Sequence, residues 1–72
     1  MPDAHQYSAF QVVFDTWYNA LCNYAYSYLK DEDACEDIVQ EVFTRIWEHR
    51  PNLIGQEEIR YYLFTAVRNN CI

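Results

Sequence analysis

The sequence predicts an all-α fold, a compact three-helix bundle in a single domain. Apolar residues recur at the 100° step of an α-helix in three separate segments. The 72 residues include one glycine and two prolines, too few turn formers for an all-β domain. At 51% hydrophobic and 18% aromatic, the chain is too apolar for a disordered tail.

The first helix is expected over residues 9–29. Phe10, Val13, Phe14, Trp17, Leu21, Tyr24, Ala25 and Tyr28 form one stripe. Asp15, Thr16, Asn19, Asn23 and Ser27 lie opposite, and Val12 alone is out of place. Ser8 with Gln11 three residues on has the form of a capping box, which sets the start near Ala9. Lys30-Asp31-Glu32 reads as the turn. Asp33, with Glu36 at the capping-box position and Asp37 in the first turn, reads as the N-cap of a second helix over 33–49. Pro51 stops that helix and pushes Arg50 towards extended backbone. Residues 51–56 read as a loop. Glu57 and Glu58 then open a third helix, 57–71, whose buried stripe is Ile59, Leu63, Ala66 and Val67, extended by Phe64.

A chain this short buries only about 60% of the surface its unfolded form exposes, so its stability is expected to be marginal. Thirteen aromatics exceed what so small a core hides, which leaves some at the surface as contact groups. Cys22, Cys35 and Cys71 are widely spaced with no histidine near them. They read as reduced thiols used as small apolar groups, not as a zinc site or disulfide scaffold. No metal and no cofactor is expected. His5 and His49 have no nucleophile or carboxylate at a telling spacing, and no Gly-rich phosphate loop is present, so the chain is not expected to be an enzyme. Met1–Gln6 is polar, unlike a secretory leader, and no apolar run reaches the ~20 residues of a membrane span. The expected location is the cytoplasm.

The net charge of −6 fits a basic partner better than a nucleic-acid backbone. Its placement is uneven: seven of the eleven acids fall between Asp31 and Glu48, and Ile59–Ile72 holds two arginines and no acid. On the second helix Cys35, Ile38, Val39, Val42, Phe43, Ile46 and Trp47 occupy about 180° of arc. Asp37, Gln40, Glu41, Thr44, Arg45 and Glu48 occupy the other side, where Glu41–Arg45 is the only acid–base pair at four-residue spacing. By pattern alone this arc suits a solvated face and a docking surface equally. The third helix shows Tyr61, Tyr62, Thr65, Arg68 and Asn69 outward. Aromatic faces for stacking, an amide for a base edge and an arginine for phosphate suit unpaired bases. Packing of both tyrosines against the first helix is the competing account.

The ordered motifs Phe14-x-x-Trp17-Tyr18, Tyr24-Ala25-x-x-Tyr28, Glu36-Asp37-Ile38-Val39-Gln40-Glu41-Val42-Phe43 and Tyr62-Leu63-Phe64-Thr65-Ala66-Val67-Arg68-Asn69 resemble region 2 of bacterial sigma-70 family sigma factors, most of all the extracytoplasmic-function (ECF) group. The resemblance covers about Phe10 to Ile72. It implies a transcription-initiation domain that docks on a coiled coil of the RNA polymerase β′ subunit through Asp37, Gln40 and Glu41, with Thr44 and Arg45 nearby. It also implies melting of the promoter −10 element and capture of a base of the non-template strand. The loop Asn52–Gly55, especially Leu53, together with Tyr61, Tyr62, Thr65, Arg68 and Asn69, would face that DNA. An anti-sigma factor joins the candidate partners.

Family members continue the third helix into a basic stretch and then a second helical domain, region 4. Neither lies within this chain, so an excised or truncated domain is expected, with weak promoter binding of its own. A helical protein-interaction or dimerisation module without DNA binding is the alternative, and an isolated domain is also expected to self-associate if Phe64 or Ile72 is exposed.

Overall fold

The computed structural model describes residues 4–72, with side chains from Ser8 onward. Helix α1 spans Ala4–Leu29, α2 spans Glu32–His49 and α3 spans Ile59–Cys71, with a 3-10 helix at Pro51–Gly55 between the last two. Among the described residues there is no strand, and the three helices pack pairwise into the expected all-α bundle. Its dimensions are 36 × 18 × 18 Å. The 26 residues of α1 measure roughly 38 Å at 1.5 Å per residue, so this one helix runs the length of the molecule.

The start of α1 precedes the expected Ala9. Ser8 lies inside the helix, and Gln11 turns forward to donate from Nε2 to Asp15 Oδ1 at 3.0 Å, so the capping-box pattern is not used. At the other end Lys30 takes a left-handed backbone (φ 58°) and its N–H donates to the Tyr26 carbonyl at 3.0 Å. This is the left-handed C-terminal cap, usually given to glycine. The abrupt stop makes Asp31 the first extended residue (φ −141°, ψ 113°), and its Oδ1 accepts from the Ala34 N–H at 3.1 Å. Asp31, not the expected Asp33, is therefore the N-cap of α2. Asp33 instead joins Glu32 in the first turn, where both carboxylates oppose the positive end of the helix dipole.

Pro51 ends α2 as expected. Arg50 leaves the helical region (φ −137°, ψ 50°), with its N–H still bonded to the Ile46 carbonyl at 2.9 Å. The segment read as a loop is mostly ordered as a 3-10 turn, with Pro at its start and the Gln56 N–H closing onto the Leu53 carbonyl at 3.0 Å. Glu57 and Glu58 form a turn, so α3 begins at Ile59 and not at 57.

The core lies where the three helices meet. Leu21 and Ala25 come from α1; Cys35, Val39, Val42, Phe43 and Ile46 from α2; Ile59, Leu63 and Val67 from α3. Each large apolar member contributes about 1.5–3 kcal/mol by burial. Ile54, not foreseen as core, is only 5% exposed because the 3-10 turn folds it beneath the helices. Among the described residues no polar or charged side chain is buried. One end of the bundle is aromatic: Phe10 meets Phe43 edge-on at 6.0 Å and Trp47 at 4.8 Å, and Phe14 lies 4.8 Å from Phe43. Phe64 extends the buried stripe of α3 as expected and is not left exposed. It is half-buried, edge-on to Trp17 at 6.0 Å and to Tyr24 at 5.2 Å. Ile72 is 81% exposed.

Candidate functional site

Two polar helix surfaces stand clear of this core. On α2, Asp37, Gln40, Glu41, Thr44, Arg45 and Glu48 are all exposed and span about 140° of the helix. Their hydrogen bonds are local. Thr44 Oγ1 donates back to the Gln40 carbonyl at 2.9 Å, and Arg45 Nη2 pairs with Glu41 Oε1 at 2.9 Å. With both partners more than half exposed, that ion pair stabilises the helix by only about 0.3–0.5 kcal/mol and exchanges readily with other charges. Gln40 reaches off the helix: its Nε2 donates to the Tyr18 hydroxyl on α1 at 3.3 Å.

Tyr18 lies flat against Phe14, with centroids 4.9 Å apart and planes 28° from parallel. The Gln40 amide draws its phenol pKa down, but burial and the neighbouring Cys22 and Glu36 outweigh that, and the net shift is upward. The Cys22 thiol is likewise raised, chiefly by burial. Both groups are protonated at neutral pH. Tyr18 and its link to Gln40 were not among the expected site residues. Sequence spacing within one helix carries no sign of a contact made across 22 residues.

The second surface belongs to α3. Tyr61, Tyr62, Thr65, Arg68 and Asn69 are exposed and share about 120° of arc opposite Leu63 and Val67. Tyr61 is 63% exposed and Tyr62 36%, so both rings are exposed, Tyr61 the more so, against the account in which both pack on α1. The Arg60 guanidinium sits over the Tyr61 ring, 4.7 Å from its centroid, and its Nη2 donates to the Tyr61 hydroxyl at 2.7 Å. Trp17, Glu57, Glu58, Ile59, Arg60 and Tyr61 line an open recess at the start of α3. Leu53, in the 3-10 turn, is half-buried and packs against the core.

Among the described residues no cluster of His, Cys, Asp or Glu has the arrangement of a metal site, and the three cysteines are free thiols. No helix among them is long and apolar enough to cross a membrane.

The sigma-70 region 2 family model matches residues 13–72, a span that includes every residue of both surfaces. RNA polymerase sigma factor SigZ of Bacillus subtilis (strain 168) is 30% identical over 60 residues, covering 83% of this chain and 34% of that protein. The chain thus spans about a third of the length of this relative. No solved structure matches it.

Proposed function

The chain belongs to the sigma-70 region 2 family, and from that premise we propose that its two polar surfaces divide the work of a transcription-initiation sigma factor domain. The α2 arc of Asp37, Gln40, Glu41, Thr44 and Arg45 docks on the β′ coiled coil of core RNA polymerase. The α3 arc, with Leu53 in the preceding turn, takes the non-template strand of a melted −10 element. The observation that carries this reading is the opposition of chemistry between the arcs. One is acid-rich and suited to a basic protein; the other has no acid and exposes Tyr61 beside Arg68 and Asn69. Stacking on an exposed aromatic is worth about 1–3 kcal/mol per base and tolerates any base, so an edge-reading amide such as Asn69 supplies preference. The domain is read as region 2 of a cytoplasmic sigma factor of the ECF group, a reading supported by its 30% identity over 60 residues to the sigma factor SigZ.

The docking half is tested by binding a peptide spanning the β′ coiled coil to the wild type, Gln40→Ala and Glu41→Lys. Charge reversal at Glu41 should weaken binding at least tenfold, about 1.4 kcal/mol or more, with Gln40→Ala intermediate. Equal affinity of all three overturns the assignment. The alternative, a self-associating helical module, instead predicts a mass that rises with concentration and no response to the peptide.

A further inference from the structure

The α2 arc is tied to α1 at one point, and that tie gives the surface a direction. Gln40 donates one N–H of its side-chain amide to the Tyr18 hydroxyl at 3.3 Å. Tyr18 cannot swing away easily, because its ring stacks on Phe14 and Phe14 in turn packs on the buried Phe43. With the donor end of the amide turned to the α1–α2 seam, the acceptor end, Oε1, is the part of Gln40 that faces out. Thr44 donates its hydroxyl proton to the Gln40 backbone carbonyl, so it too presents only oxygen lone pairs outward. Asp37, one turn before Gln40, and Glu41, beside it, add carboxylates. Apart from Arg45, whose guanidinium is paired with Glu41 at 2.9 Å, the patch around Gln40 presents mainly acceptors. An amide free to rotate would present either end.

We propose that Tyr18 is a positioning residue of the docking surface: it holds Gln40 with its carbonyl oxygen outward and so selects a partner segment bearing arginine or lysine donors. The inference rests on the docking reading above and extends the surface across the seam onto α1. It also specifies the chemistry that meets Gln40, a donor from the partner.

Tyr18→Phe isolates this role, since the ring and its stack on Phe14 remain and only the hydroxyl is lost. Affinity for the β′ coiled-coil peptide is measured by fluorescence anisotropy for the wild type, Tyr18→Phe, Gln40→Ala and the double variant, with thermal unfolding of each as the control for folding. Tyr18→Phe should weaken binding by about 3- to 10-fold, the range set by one net hydrogen bond, at a melting temperature close to that of the wild type. The double variant should bind no more weakly than Gln40→Ala alone, because the hydroxyl acts only through Gln40. Wild-type affinity for Tyr18→Phe, or additive losses in the double variant, overturns the proposal. Glu41→Lys separates the two levels. If it loses binding while Tyr18→Phe does not, only the positioning role falls; if neither loses binding, the docking reading falls with it.

Discussion

A lysine occupies the one left-handed backbone position among the described non-glycine residues, while Gly55, the only glycine, has no positive φ. A Cβ added at Gly55 would meet nothing within 4 Å. The two positions are thus reversed relative to what the backbone favours. Lys30→Gly removes the left-handed penalty and should raise stability by about 0.5–1 kcal/mol. Gly55→Ala should add about 0.4–1 kcal/mol by narrowing the unfolded ensemble. Urea midpoints at constant slope measure both, and a loss of stability in either variant contradicts this account. The sequence marked Lys30-Asp31-Glu32 as a turn, but not which residue would invert. Lysine, unlike Gly or Asn, gives no local signal for a positive φ.

At the scale of elements, the cap of α2 is the sharpest point of difference. Asp33 with Glu36 has the better sequence pattern, yet Asp31 is where the chain leaves the left-handed residue and its carboxylate meets the Ala34 N–H. Asp31→Ala should cost about 1 kcal/mol, whereas Asp33→Ala loses only a first-turn dipole interaction of about 0.3–0.5 kcal/mol. Comparable losses in thermal melts of the two variants would return the cap to Asp33. What was legible followed from periodicity. The stripe on α2 named all five of its buried residues, and the complementary polar arc followed from the same 100° step. Periodicity is silent where the chain is not α-helical, which is why Ile54 was missed, though an apolar Leu53-Ile54 pair just after a proline was the available sign of a buried turn. It is equally silent on Tyr18 meeting Gln40, because that contact depends on how α1 and α2 are set against each other.

For the whole molecule, the thiols make alkaline pH the vulnerable side. Burial raises Cys22 and, with the nearby Cys35, Cys71 above the ordinary thiol value of 9.0. The folded chain therefore holds these protons more tightly than the unfolded one. Their contribution is complete below the unfolded value and is lost as pH rises through the folded values. Melting temperature should fall as pH climbs above about 9, and less steeply in a Cys22→Ala/Cys71→Ala variant than in the wild type; parallel slopes would exclude the thiols as the cause. The brevity of the Lys30-Asp31 link bears on a different property, the order in which the molecule assembles. Closing so short a connection involves little entropy, and neighbouring helices joined in this way belong to the fast, microsecond-to-millisecond class of folders. Tyr18, Gln40, Asp37 and Glu41 all lie on the α1–α2 hairpin. In chain order the hairpin that carries Tyr18 and Gln40 is synthesised before the helix that bears Tyr61 and Asn69.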